Sequence, residues 1–233
     1  MTAIKGAVVL VTGGARGIGR GFVEAAYERG AAKVYATARD PRTVTHPDAV
    51  ALALDVTDPR AIAAVASTAG DVTVLINNAG SYFAAPFLDG DLKDVRGDFE
   101  TNFFGPLLMT RAFAPIIAAN GGGQVLNVAS VVSWLANGGS YAASKAAVWS
   151  LSLSLRAELR PLGIGVTSLH VGYVDTAMAA AVDAPKSDPR LVAEAGLDGI
   201  EANAFEVLVD DFTRHIKASL AGDPAVIYPE LAP

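Results

Sequence analysis

Tyr141 and Lys145 stand four residues apart in a stretch with helical spacing, so one helix face would carry both a phenol and an ammonium. A phenol donates a proton and, once ionised, accepts one, but with a pKa near 10 only about one molecule in a thousand is ionised at pH 7. Bringing that pKa close to 7 takes roughly 4 kcal/mol of preferential phenolate stabilisation, and a nearby positive charge acts in that direction. The pair reads as acid–base chemistry. Alone it proves little, because Tyr-x-x-x-Lys recurs by chance on many helices.

A second group binds rather than reacts. The run Val11-Thr12-Gly13-Gly14-Ala15-Arg16-Gly17-Ile18-Gly19 closes an apolar stretch and opens a helical one. Glycines there let the backbone turn tightly and approach a pyrophosphate, which sits on the free N–H groups of the helix start. The spacing Gly-x-x-x-Gly-x-Gly departs from the general G-x-G-x-x-G fingerprint. Twenty residues beyond Gly19 stands Arg39, where a carboxylate would hold a ribose hydroxyl and an arginine can pair with a 2′-phosphate. Arg16 adds a second cation, and both point to NADP over NAD. The neighbouring Asp40 offers the opposite choice.

These groups need a scaffold. Apolar runs at 7–11, 33–38, 50–54, 72–76, 124–128 and 166–171 read as strands, nearly continuous in aliphatic and β-branched residues. Helical spacing lies between them at 18–29, 59–68, 98–119 and 140–159, and 225–228 is a candidate edge strand. The alternation predicts a single α/β domain over 1–233, a doubly wound parallel sheet of about seven strands with helices on both faces. Segment 178–203, rich in Ala, Asp, Pro and Gly with weak periodicity, reads as a mobile substrate loop. With no cysteine there is no disulfide or thiolate chemistry, and a net charge of −6 argues against nucleic acid or an anionic membrane as partner. Apolar stretches are broken by Arg111, Asn120 or glycine before spanning length, and residues 1–5 lack a signal-peptide layout, so a cytoplasmic protein is expected.

Three later segments complete a pattern: Asn77-Asn78-Ala79-Gly80 after the fourth strand, Ser130 at the end of the fifth, and Tyr141-Ala142-Ala143-Ser144-Lys145 opening a helix. With the glycine loop they resemble the short-chain dehydrogenase/reductase family over roughly residues 5–176, which implies a Rossmann-type fold. The resemblance implies that Ser130, Tyr141 and Lys145 are catalytic and that Asn102 holds a proton-relay water. It also implies that Asp55, beside Val56, contacts adenine, that Asn78, Ala79 and Gly80 brace the cofactor groove, and that Lys145 holds the nicotinamide ribose. Gly172, Val174 and Thr176 match the nicotinamide loop, although Val171 stands where the family has proline. Ten residues separate Ser130 from Tyr141, fewer than the family norm, which leaves Ser133 as a rival for the serine role.

The expected activity is therefore NADP-dependent interconversion of a carbonyl compound and an alcohol, as in a carbonyl reductase. Reduction of an imine is an alternative, as is a non-catalytic dinucleotide sensor. His46, His170 and His215 are too scattered for a metal site, and His170 reads as structural. Tyr82, Phe83, Trp134, Leu135, Tyr173 and Met178 flank the expected site and suggest an apolar or aromatic small-molecule substrate. The family resemblance also implies a homo-oligomer, a tetramer or dimer.

Overall fold

A computed structural model describes residues 2–228; Met1 and residues 229–233 of the expected domain lie outside the described residues. Seven runs form one sheet: β1 (Val8–Val11), β2 (Lys33–Ala38), β3 (Val50–Ala53), β4 (Val74–Asn77), β5 (Gly123–Val128), β6 (Ile164–His170) and β7 (Glu206–Leu208). The order is β3-β2-β1-β4-β5-β6-β7 and every pairing is parallel. β4 and β5 are buried along their whole lengths, as strands covered on both faces must be. Val9 pairs with Val34 of β2 on one side and Val74 of β4 on the other. The connections diverge there, which opens a crevice at the C-terminal ends of the strands.

The helices are α1 (Gly17–Glu28), α2 (Pro59–Thr68), α3 (Leu92–Phe99), α4 (Gly105–Ala119), α5 (Gly139–Leu159), α6 (Pro189–Glu201), α7 (Asp211–Ser219) and α8 (Pro224–Ile227). α1 and α6 cover one face, where Phe22, Val192, Leu197 and Ile200 have no exposed surface. α2, α4 and α5 cover the other around Met109, Phe113, Ile117 and Leu155. A single π-turn, Glu100–Phe104, joins α3 to α4, so 92–119 is one helix of 28 residues, with an 18-residue stretch of mean hydropathy 1.2. By length and composition it would pass for a membrane span, contrary to the expectation that apolar stretches stop short. Met109, Phe113 and Ile117 pack on the sheet, while Leu92 and Phe104 are exposed.

Side chains cap most helix starts. Asp58, Asp91, Asp188, Asp210 and Asp223 each accept a backbone N–H in the first turn of the following helix. All four Asp-Pro pairs in the chain begin a helical turn, because proline at the first helical position gives up an N–H that would be unpaired anyway. α1 is different: it follows Arg16 and has no side-chain cap.

The same signal explains two corrections. Within 178–203, Asp188-Pro189 opens α6, whose Val192, Ala193, Leu197 and Ile200 lie in the core, so 189–201 is a packed helix and not part of a loop. At 225–228 the chain is not an edge strand, since Asp223-Pro224 opens α8. The seventh strand is β7, three residues long and too short to show a period. We predict that Leu197→Ala lowers unfolding free energy by about 2–5 kcal/mol, the usual result of emptying a filled core site. Met178→Ala, half-exposed before α6, should change it by less than about 0.5 kcal/mol in the same urea titration.

Candidate active site

The crevice is built on glycine and one threonine. A Cβ on Gly19 would stand 2.1 Å from the Gly13 carbonyl oxygen, so only glycine lets α1 start this close to the end of β1. Gly17 has φ +53°, and a Cβ there would meet Thr176 at 3.0 Å, which places Thr176 over the loop. Thr12 Oγ1 accepts the backbone N–H groups of Asn78 (2.9 Å) and Ala79 (3.0 Å), and Asn78 Nδ2 donates to the carbonyls of Thr12 (2.9 Å) and Gly13 (3.2 Å). Asn77 Nδ2 donates to Asn127 Oδ1 at 2.8 Å. The segment Asn77 to Gly80 thus ties the ends of β1, β4 and β5 together, and Thr12 is a site residue that sequence reasoning passed over.

The residues fit a dinucleotide. With no side-chain cap, the first N–H groups of α1 face the glycine loop as an anion site, flanked by Ala15, Arg16 and Ile18. Arg39 is exposed just beyond β2. Asp40 is engaged elsewhere: its carboxylate takes the Arg42 guanidinium at 2.9 Å on both oxygens and caps the turn, and the Arg42 contact lowers its pKa. Asp55 accepts the Thr57 N–H (2.9 Å) and hydroxyl (2.7 Å), which lower its pKa, with Arg39 adding to the effect, and Val56 behind it is buried. Val174 is buried near Thr176, and the Gly172 N–H donates to Asp210 Oδ2 at 2.8 Å. That bond constrains the loop at the place where the family's proline is missing.

The residues expected to react lie at the start of α5 and the end of β5. Tyr141 and Lys145 share a helix face, with Nζ 5.6 Å from the phenol ring centre. Lys145 is buried and donates to the Val128 carbonyl at 2.8 Å; loss of hydration draws its ammonium down to about 8. Burial pushes the Tyr141 phenol up, and the Ser130 hydroxyl draws it partly back. Tyr82 and Asp98 raise it further, so the phenol lies above its ordinary value, against the expected lowering by Lys145. Ser130 stands at the end of β5 against the phenol, whereas Ser133 Oγ is spent on the Lys145 carbonyl at 3.0 Å. The geometry favours Ser130.

Asn102 lies in the π-turn, a helix irregularity that recurs at functional sites. Its amide accepts from Ser81 N (2.9 Å) and donates to Ser81 O (3.1 Å) and Ser144 Oγ (2.9 Å), so the side chain holds protein. A Cβ on Gly80 would touch Asn102 Oδ1 at 3.1 Å and Lys145 Nζ at 3.8 Å, which puts these three side by side. Tyr82 meets Tyr141 edge-on, ring centres 4.8 Å apart. Tyr82, Phe83, Tyr173 and Met178 are each about half exposed, but Trp134 and Leu135 belong to a core cluster and are packing residues.

A second residue missed in the sequence holds this corner. Asp98, fully buried, accepts from Ser81 Oγ (3.0 Å), Phe83 N (3.1 Å), Ala84 N (3.1 Å) and Ser140 Oγ (2.7 Å). It joins the loop after β4 to the residue before Tyr141. No local pattern marks it, since its partners come from distant segments. Asp98→Ala would strand those donors, and we expect a loss of about 3 kcal/mol or more in urea unfolding.

Comparison with known proteins places this geometry. The chain matches the family described as short chain dehydrogenase over residues 7–187. It is 40% identical over 183 residues to the short-chain dehydrogenase ptmH of Penicillium ochrochloron, covering 72% of this chain and 66% of that protein's length. A short chain dehydrogenase from Burkholderia cenocepacia, solved in complex with NADP, superimposes with a TM-score of 0.93 at 38% identity and full coverage of both chains. A 3-ketoacyl-(acyl-carrier-protein) reductase from Brucella melitensis, complexed with NADH, gives 0.80 at 27% identity over 88% of this chain and 97% of that one. With the glycine loop, the braced strand ends and the Ser130, Tyr141, Lys145 cluster on one parallel sheet, the chain belongs to the short-chain dehydrogenase family.

Proposed function

We propose that the protein is an NADP-dependent oxidoreductase that interconverts a small carbonyl compound and its alcohol. The observation that carries this reading is the convergence of Tyr141, Ser130 and Lys145 at the crevice mouth beside the glycine loop. The bound dinucleotide would supply the hydride and, when oxidised, a positive charge. The chain supplies the proton. A phenol whose pKa is raised by burial stays protonated at neutral pH, the form that can hand its proton to a carbonyl oxygen as negative charge develops there. Ser130 donates a hydrogen bond to the same oxygen, stabilising charge that exists only in the transition state. Lys145, anchored by Val128 O, keeps a cation beneath the phenol and is placed to hold a nicotinamide ribose. Half-exposed Tyr82, Phe83, Tyr173 and Met178 favour an apolar or aromatic substrate.

The preference for NADP rests on Arg39, exposed and without an ion-pair partner among the described residues, while Arg42 occupies the competing Asp40. The NADP complex of the Burkholderia relative is in keeping with it. The reading extends to a cytoplasmic homo-oligomer, dimer or tetramer, joined through the helices that begin near Asp98 and Ser140, where Phe104 and Leu153 are exposed.

Tyr141→Phe is predicted to lower NADPH-linked reduction of a ketone and aldehyde panel by about a hundredfold or more. NADPH binding, followed by cofactor fluorescence, should stay unchanged; full turnover in that variant removes the mechanism. Arg39→Asp should weaken NADPH binding about tenfold or more and leave NADH binding nearly untouched. Equal losses for the two dinucleotides would end the case for a phosphate contact.

A further inference from the structure

The segment from Ser130 to Tyr141 is held from beneath by side chains that take no part in the chemistry above. β6 ends at His170, fully buried, whose Nδ1 lies 3.1 Å from the Ser130 carbonyl oxygen and whose Nε2 lies 3.0 Å from Ser168 Oγ. A carbonyl only accepts, so Nδ1 carries the proton and Nε2 receives the Ser168 hydroxyl. Trp134 lies flat on the imidazole, with ring centres 4.3 Å apart and planes within 17°. Trp149 meets Trp134 edge-on at 5.7 Å, and Lys217 Nζ sits 4.6 Å from the centre of each indole. Glu206 completes the clamp, pairing with Lys217 at 2.9 Å and accepting from Trp149 Nε1 at 2.6 Å. On the far side Tyr228 Oη donates to Trp134 O (3.0 Å) and accepts from Ala136 N (2.8 Å).

Burial draws the imidazole pKa down to about 4, against the Ser130 carbonyl and Glu206 of β7, which raise it, and with Lys217 of α7 and Lys145 of α5, which lower it further. The ring is neutral through the working range, so its Nδ1–H bond to Ser130 does not switch with pH. Apart from its place against the Tyr141 phenol, the Ser130 side chain is held only by long main-chain contacts, 3.4 Å to Val171 O and 3.4 Å from Val132 N.

We propose that His170, clamped by Trp134, is the positioning residue for Ser130, and that its bond to the Ser130 carbonyl sets how the serine hydroxyl meets the Tyr141 phenol. The inference rests on Ser130 being the hydroxyl that acts with Tyr141. It accounts for how a loop of ten residues can hold that serine in place.

His170→Phe keeps a ring for Trp134 and removes the donor, whereas His170→Asn keeps a donor near the Nδ1 position. Both are compared with wild type and Ser130→Ala on the fastest substrate of a benzaldehyde and acetophenone panel and on its alcohol. His170→Phe should lower kcat about tenfold with NADPH binding unchanged, and His170→Asn should recover most of that. In alcohol oxidation Tyr141 must be ionised, and losing the Ser130 contact raises its pKa, so the rising limb of the kcat–pH profile moves to higher pH in His170→Phe as in Ser130→Ala. A merely structural role would lower stability without moving that limb. An unmoved limb and undiminished kcat in His170→Phe, with Ser130→Ala impaired, overturn the positioning role and leave the serine reading standing. A fully active Ser130→Ala overturns both. If His170→Phe does not fold, Trp134→Leu frees the ring and is expected to move the limb the same way; no movement there also overturns the proposal.

Discussion

Everything at the crevice depends on how closely the start of one helix approaches the end of the first strand. Between Gly19 and the Gly13 carbonyl there is room for a hydrogen atom and nothing more. That approach brings uncapped N–H groups to the strand ends and lets Asn78 bond to Thr12 and Gly13 across the point where the sheet changes direction. The other long helices of the chain have aspartate caps or continue from a preceding turn, and α5 starts on Gly138 with φ +128°. Two helix starts lack side-chain caps after a glycine-bearing loop, α1 and α5, and both line the site. Donors left unpaired by the protein are donors available to a ligand.

Burial then sets the direction in which Tyr141 and Lys145 shift. Lys145 is enclosed with a carbonyl rather than a carboxylate as its hydrogen-bond partner, which lowers its hold on the proton, and Tyr141 is raised for the same desolvation reason. The two shifts drive the pair apart in proton affinity: the lysine holds its proton less tightly and the phenol holds its own more tightly. Asp98 contributes differently. Its four accepted hydrogen bonds spend the carboxylate on geometry, locking the loop after β4 to the first turn of α5. A buried carboxylate saturated with donors is rigid, because moving any partner exposes charge to a medium that cannot solvate it.

The aromatic clamp around Trp134 is the counterpart on the other side of Ser130. Its members come from segments far apart in sequence: Trp149 on α5, Glu206 on β7, Lys217 on α7. A cation between two indoles holds each ring without needing a long loop to enclose them. The shortened connection from Ser130 to Tyr141 is thus compatible with an ordered serine.

What the sequence determined by itself was whatever is written locally. Continuous aliphatic runs marked six of the seven strands, helical spacing marked α1, α2, α4 and α5, and the spacing of glycines and of Tyr141 with Lys145 marked the site, because these depend on neighbours within a few residues. Asp188-Pro189 carried the start of α6 as plainly as Asp58-Pro59 carried that of α2, and only the weak periodicity after it disguised a core helix. The tertiary structure alone decided that Ser133 is spent on a main-chain carbonyl, that Asp98 binds Ser140, that Trp134 is core and not pocket, and that desolvation raises Tyr141. Each of these turns on which distant segment excludes water from a polar atom and which offers it a partner, and neither is encoded in the periodicity of the chain around it.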